Sequence, residues 1–142
     1  ALDVSIQSQV INLLKELQEK LGLTYMFIAH DLNIVKYISD SIAVMYLCNL
    51  VELAPSDDIY AHTLHPYSQA LLASVPIPDP NKEAQKRAQV LSGDVPSPIN
   101  PKPGCKFAGR CPHTTDRCRS ETPVLREVRP NHFVACHLVQ PE

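Results

Sequence analysis

The sequence predicts an α/β fold followed by a loop-rich extension, and the distribution of proline and cysteine supports this division. All 13 prolines lie at or after Pro55, so residues 1–54 can form regular elements without interruption. Within those residues, apolar patterns of helix and strand period alternate along the chain. Four of the five cysteines fall between Cys105 and Cys136. We therefore expect a layered α/β half followed by a tail with little regular structure of its own.

Composition and charge exclude several classes of function. The chain has 142 residues, 44% of them hydrophobic and 20% charged, which is an ordinary globular balance. Its net charge of −2 provides no general attraction to nucleic acid or to anionic lipid. No apolar run approaches the roughly 18 residues that a membrane-spanning helix needs. The first residues lack the features of a signal peptide, so we expect a cytoplasmic protein.

The first half begins with a helical pattern and continues with a strand pattern. Residues 5–21 carry apolar side chains at helical spacing, which predicts an amphipathic helix that ends near Gly22. Residues 24–29 form a short apolar, β-rich run that predicts a buried strand. Asp31 follows this run and is placed to cap a short second helix.

A hairpin and two further helices are expected next. Residues 41–47 and 50–53 have strand patterns, and residues 48–49 are expected to form the turn between them. Residues 56–58 (SDD) are expected to cap one helix. Pro66 is expected in the first turn of another helix, where proline is well tolerated. Beyond these elements we expect a proline-rich linker, within which residues 82–90 are expected to form one helical patch.

The four tail cysteines have the spacing C-x5-C-x6-C-x17-C, which indicates a shared constraint. Two disulfides, a metal site or free thiols remain open at this point. A reducing compartment favours metal ligation over disulfides. Structural zinc sites usually contain a tight C-x2–4-C pair, which is missing here, whereas iron–sulfur clusters tolerate wider loops. Arg110, Arg117 and Arg119 are placed either to neutralise an anionic cluster or to form a solvated basic face.

Three stretches resemble the ATP-binding subunits of oligopeptide/dipeptide ABC importers. Residues 1–3 (ALD) resemble the D-loop, and residues 27–32 (FIAHDL) resemble the switch-histidine segment. Residues 65–72 (HPYSQALL), residues 91–98 (LSGDVPSP) and the cysteine module resemble the C-terminal extension of the peptide- and nickel-importing branch. Together the three stretches extend over essentially the whole chain.

The resemblance implies a fold and a domain organisation. Residues 1–75 would be the C-terminal part of an ABC-ATPase domain, a layered α/β domain of the P-loop NTPase class. Residues 76–104 would be a proline-rich linker, and residues 105–142 would be the four-cysteine module of peptide importers. The phosphate-binding glycine loop, the signature motif and the Walker B acid are absent from this sequence. We therefore expect the chain alone not to hydrolyse ATP, although the complete subunit would do so with ATP and Mg²⁺.

The resemblance also implies roles for individual residues. His30 would be the switch histidine that contacts the γ-phosphate of ATP; its position alone, without the resemblance, favours a structural histidine at a strand end. Asp3 would be the D-loop acid at the interface of two ATPase subunits, although it also suits a helix cap. The four cysteines, Cys105, Cys111, Cys118 and Cys136, would hold a [4Fe–4S] cluster, with zinc as the alternative.

The expected function is that of the ATPase subunit that energises peptide import. Its partners would be a second ATPase subunit, the transmembrane permease subunits and, indirectly, a peptide-binding protein, at the cytoplasmic face of the membrane. No nucleic-acid partner is expected. The alternative is an isolated zinc- or iron–sulfur-binding module without catalysis. The sequence does not distinguish dipeptide, oligopeptide and nickel as the cargo.

Overall fold

The computed structural model describes residues 4–75, 94 and 96–141. The chain divides into two compact units, Ala1–Ser39 and Asp40–Glu142. Asp3, the predicted helical patch at residues 82–90 and most of the predicted linker lie outside the described residues. None of the helices within the described ranges is long and apolar enough to cross a bilayer.

Two helices form the first unit. The helix predicted at residues 5–21 is confirmed as α1, Val4–Leu21, and Gly22 follows it with a φ of 65°, a backbone conformation that suits a helix end. The second helix, α2, spans Leu32–Ile38. Its predicted cap is also confirmed, because the Asp31 carboxylate accepts hydrogen bonds from two backbone amides of the first turn, at 2.9 and 3.4 Å.

The prediction of a buried strand at residues 24–29 is wrong. This segment carries neither helix nor strand, and its side chains are largely exposed, with Met26 at 91% and Ile28 at 89%. A β-rich sequence becomes a strand only when neighbouring backbone satisfies its amides and carbonyls. No described strand is hydrogen-bonded to this segment. Its apolar side chains therefore lie open to solvent in this structure.

The second unit is built on a four-stranded antiparallel sheet with the order β1-β2-β4-β3. Among the described residues, three helices accompany the sheet, which gives a small α/β structure. Its elements in chain order are β1 Ser41–Tyr46, β2 Asn49–Pro55, α3 Ser56–His62, α4 Pro66–Ala73, α5 Asp116–Ser120, β3 Arg126–Arg129 and β4 His132–Val134.

The predicted hairpin is confirmed, and its turn lies one residue earlier than expected. Leu47 and Cys48 occupy the turn with φ values of 44° and 61°, and Tyr46 pairs with Asn49 across it. Two successive residues with positive φ define the tight turn that matches the twist of antiparallel strands. The Asn49 side chain supports the turn by donating a hydrogen bond to the Leu47 carbonyl at 2.7 Å.

Both helices predicted after the hairpin are present, but the cap of the first differs from the prediction. Pro55, not residues 56–58, is the N-cap of α3, and no side chain caps this helix. Asp57 and Asp58 lie in its first turn, where negative charge favours the helix dipole. Pro66 occupies the first turn of α4, as predicted, and His65 is the N-cap.

The tail contributes two strands to the same sheet as the hairpin. Strand β4 pairs with β2 through Glu52 opposite Val134 and Leu53 opposite Phe133, and the Ala135 amide donates to the Val51 carbonyl at 2.9 Å. Strand β3 pairs with β4 on its other side. The core consists of two clusters of buried side chains: Tyr46, Val51 and Phe107 in one, Val128, Val134 and Cys136 in the other.

Candidate functional site

His30 is exposed and immediately precedes the cap of α2. The hydrogen bonds that Asp31 accepts fix the backbone at this point, so the start of α2 presents the imidazole to solvent. An exposed histidine at a helix start is accessible to a ligand from outside the unit. Asp3, the other residue predicted near an ATP site, lies outside the described residues.

The four tail cysteines come from separate short segments that backbone contacts join. Cys118 lies in α5, and the Cys105 amide donates a 2.7 Å hydrogen bond to its carbonyl. Gly104, with a φ of 84°, makes this approach possible. A β-carbon at Gly104 would lie only 2.5 Å from the Cys118 carbonyl oxygen. His137, beside Cys136, donates from Nε2 to the Glu121 carbonyl at 3.0 Å, which ties the segment after β4 to the end of α5.

All five cysteines carry free thiols. Cys118 and Cys136 are buried, whereas Cys105 and Cys111 are half-buried. Burial raises the pKa of the Cys105 thiol, and negative charge on the other three tail cysteines raises it further. The pKa of Cys111 is raised for the same reasons, by burial first and then by charge on Cys136 and Cys118. The fold thus brings the four sulfur groups within electrostatic range of one another.

The four thiols are not arranged as a closed metal site. Within the described parts of the chain, no group of three or more histidine, cysteine or acidic side chains is placed to hold a metal ion. The donor set nevertheless fits in number and type, since four thiols are the usual ligands of zinc and of iron–sulfur clusters. Binding would therefore require the thiols to move closer together.

The most buried polar centre of the described structure is Glu52 on β2, which sequence reasoning missed. Its side chain is fully buried and accepts a 2.8 Å hydrogen bond from Nε2 of the buried His132 on β4. It also accepts from three groups that precede α4: the Leu64 amide at 2.7 Å, the His65 amide at 3.2 Å and the Thr63 hydroxyl at 2.9 Å.

These hydrogen bonds decide the ionisation of Glu52. Burial alone would raise the pKa of its carboxyl, but the nearby Ser68 hydroxyl and the hydrogen bonds from Leu64, His132 and Thr63 outweigh burial and lower the pKa below the ordinary value of 4.5. Ser68 is fully buried and lies beside the carboxylate, although its hydroxyl falls outside strict hydrogen-bond geometry. A carboxylate is an acceptor only, so His132 must carry its proton on Nε2.

His65 is the second missed residue of this centre. Burial lowers the pKa of its imidazole to about 4, although the nearby Glu52 charge raises it in part, so the ring is neutral at pH 7. Its Nδ1 accepts a 3.1 Å hydrogen bond from the Tyr67 amide and thereby caps α4. The proximity of His65 to Pro66 is a helix-start signal in the sequence. No local signal indicates the Glu52–His132 pair, whose members are 80 residues apart.

Phe107 connects the cysteine segments to this centre. It lies between Cys105 and Cys111 in sequence and is 99% buried. Its ring centroid lies 5.2 Å from that of Tyr46, 5.4 Å from that of Tyr67 and 5.9 Å from that of His65. The loop that carries two of the four thiols is therefore packed against β1 and the start of α4.

Comparison with known proteins finds one matching family over about half of the chain. Residues 51–118 match the family described as the oligopeptide/dipeptide transporter, C-terminal region. This range includes most of β2, all of α3 and α4, and three of the four tail cysteines. The resemblance given by the sequence motifs is confirmed: the family match and the relatives below are those of peptide- and oligopeptide-importing transporters and their ATP-binding proteins.

Individual relatives are similar over nearly the whole chain. The chain is 53% identical to the oligopeptide transport ATP-binding protein OppF of Salmonella typhimurium over 141 residues, or 99% of its length. It is 51% identical to the oligopeptide transport ATP-binding protein AppF of Bacillus subtilis over 97% of its length. It is 55% identical over 96% of its length to a Brucella ovis protein provisionally named as a peptide import ATP-binding protein. The chain spans 42% of the length of each of these relatives.

Proposed function

We propose that this chain is part of the ATP-hydrolysing subunit that energises peptide import through an ABC transporter. The observation that carries the proposal is the similarity of nearly the whole chain, at 51–55% identity, to peptide and oligopeptide transport ATP-binding proteins. The match of residues 51–118 to a region of oligopeptide/dipeptide transporters supports peptide as the cargo. The comparisons give no support to an isolated metal-binding module without catalysis.

In this proposal His30 acts at the γ-phosphate of ATP. Phosphoryl transfer is accelerated by hydrogen-bond donors aimed at the charge that develops on the phosphate oxygens and by groups that orient the attacking water. The exposed imidazole at the start of α2 is available for this role, and the Asp31 cap holds the backbone beneath it. Asp3 acts at the contact with a second ATPase subunit.

The proposed setting is the cytoplasmic face of the membrane. A second ATPase subunit completes the ATP sites, which also contain Mg²⁺. ATP hydrolysis there drives a conformational change in the transmembrane permease subunits. A peptide-binding protein delivers the cargo to the permease. This sequence contains no glycine-rich phosphate loop, which is the part of such ATPases that cradles the phosphates. We therefore expect only background ATP hydrolysis from the chain by itself.

The test of the proposal is substitution of His30 in a full-length subunit that includes this chain. His30→Ala should lower the ATP turnover by about 100-fold or more while ATP affinity changes little, since one transition-state contact is lost. Turnover is measured as phosphate release with the permease present, and affinity with a fluorescent nucleotide. His62→Ala is the matched control, because His62 is also an exposed histidine, at the end of α3. Unchanged turnover in His30→Ala, or an equal loss in the control, would contradict the assignment.

We propose in addition that the four tail cysteines bind a metal centre, a [4Fe–4S] cluster in preference to zinc. The supporting observations are four free thiols gathered within electrostatic range and the wide spacing between them. Residues 102–142 also contain seven lysines and arginines against four acidic residues, which favours an anionic thiolate centre. Because the thiols do not form a closed site in this structure, binding would couple to local ordering of the tail.

Elemental analysis of protein purified without oxygen tests this second proposal. Iron and acid-labile sulfide at about four each per chain, with a brown colour, are expected. Zinc at about one per chain, without iron, would instead identify the centre as a zinc site. The absence of both metals would refute a metal centre. Cys118→Ser should abolish loading, whereas Cys48→Ser, which changes an exposed cysteine in the hairpin turn, should not.

A further inference from the structure

The start of α4 is held from two sides by residues of the tail. One side is polar and runs through His132 on β4. The other is aromatic and runs through Phe107 in residues 104–111, which we call the cysteine loop. We call residues 63–67, which lie between the two sides, the α4 entry.

On the polar side, Glu52 joins the tail to the α4 entry. One carboxylate oxygen, Oε1, accepts two hydrogen bonds: one from His132 at 2.8 Å and one from the Leu64 amide at 2.7 Å. The other oxygen accepts from the His65 amide at 3.2 Å and from Thr63. Both Glu52 and His132 are fully buried, so water cannot replace a lost donor without opening the structure. One carboxylate therefore links β4 directly to the α4 entry.

On the aromatic side, Phe107 brings the cysteine loop against the α4 entry. The loop folds back at this point, since the Cys111 and Arg110 amides both donate to the Phe107 carbonyl, at 3.0 and 2.9 Å. The Phe107 ring contacts His65 and Tyr67, the two residues that form the α4 cap. Both partly buried thiols of this loop pack on the same cluster.

The two sides meet at His65. The His65 amide donates a hydrogen bond to Glu52, and the His65 ring packs near Phe107. Its Nδ1 accepts a hydrogen bond from the Tyr67 amide. We propose that the tail is a two-sided clasp on the α4 entry, so that a structural change at the four cysteines is transmitted through Phe107 and His132 to the helix cap made by His65. The clasp is independent of ATP chemistry and of the identity of any group that the thiols bind.

A consequence is that the tail and α4 form one cooperative element. Opening of the cysteine loop removes the Phe107 contact, and detachment of β4 removes the His132 donor. Either event leaves the His65 cap with fewer restraints, so the Tyr67 amide should open more often. Amide hydrogen exchange measures the frequency of such openings at a single residue.

The experiment measures exchange of the Tyr67 amide in the whole chain by NMR. Phe107→Leu and His132→Leu should each accelerate this exchange by about tenfold or more, because each removes one side of the clasp. His132→Gln should restore most of the protection, since an amide nitrogen can donate to Glu52 as Nε2 does. Val124→Ala, at a tail side chain that is 79% exposed, is the control and should change nothing.

A further variant connects the clasp to the cysteines. Cys111→Ser should accelerate Tyr67 exchange as Phe107→Leu does. The clasp is refuted if the tail amides of Val134 and Ala135 lose protection while Tyr67 keeps its wild-type rate. It is refuted equally if His132→Gln and His132→Leu behave alike. If His132→Leu also accelerates exchange of the β1 amides, its effect is not confined to the clasp. The milder variant Phe107→Leu is then used to test whether Tyr67 exchange changes.

Discussion

At the scale of single residues, Gly104 is a position where the tail tolerates little change. Its φ of 84° lies in the region that favours glycine, and a β-carbon there would lie 2.5–2.6 Å from backbone atoms of Cys118 and Arg119. These neighbours belong to the backbone and cannot rotate away. Gly104→Ala should therefore separate Cys105 from α5 and lower the free energy of unfolding by about 3 kcal/mol or more.

The chain offers a matched control for this prediction. Gly109 lies in the same cysteine loop, but a β-carbon there meets nothing within 4 Å. Gly109→Ala should therefore be nearly neutral. Urea unfolding of both variants measures the difference, and equal stability of the two would show that the close approach at Gly104 does not constrain the tail.

At the scale of elements, the hairpin turn carries a strained residue. Cys48 has a φ of 61°, a conformation that costs a residue with a β-carbon about 1–2 kcal/mol. Cys48→Gly should relieve this strain, and after the entropy that glycine adds to the unfolded chain we expect a net gain of about 0.5–1 kcal/mol. Cys48→Ala removes the thiol but keeps the β-carbon, so it should not be stabilising. Thermal unfolding measures the stability of Cys48→Gly and Cys48→Ala. If both variants are stabilised equally, the gain comes from removal of the thiol and not from relief of backbone strain.

The elements also show which patterns the sequence could define. The helix at α1, the Asp31 cap, the hairpin and Pro66 at the start of α4 follow from interactions within a few residues, and all are found. The predicted strand at residues 24–29 depends on partners elsewhere in the chain, and it does not form here. Most patterns that depend on near neighbours are therefore readable from the sequence, whereas the pairing of a strand with distant partners is not.

At the scale of the whole molecule, the contact between hairpin and tail could not be predicted. Glu52 and His132 are 80 residues apart, and each is ordinary in its own sequence context. The proline-rich composition between them suggested a loop-rich extension, yet the tail supplies two of the four strands of the sheet. The candidate residues His30 and the four cysteines came from recognisable motifs, whereas the buried centre at Glu52 and His65 became visible only in three dimensions.

This buried centre should control the response of the second unit to acid. His65 has a pKa of about 4 in the folded chain against an ordinary value of 6.5, so between these values the unfolded chain binds more protons than the folded one. The contribution of His65 to the free energy of unfolding is therefore fully present above pH 6.5 and is lost as the pH falls to about 4. A difference of this size corresponds to about 3 kcal/mol. The lowered pKa of Glu52 adds a separate loss only below its ordinary value of 4.5.

His65→Asn isolates the contribution of the histidine. Asparagine is a good helix N-cap and does not titrate, so it keeps an acceptor for the Tyr67 amide while removing the proton uptake. We expect the variant to lose some packing against Phe107 at neutral pH and to show a much flatter stability between about pH 6.5 and about pH 4.5. Urea unfolding at several pH values, followed by near-ultraviolet circular dichroism of the packed tyrosines, measures both curves. Parallel curves would mean that proton uptake at His65 does not govern the acid response, and that groups elsewhere in the chain do.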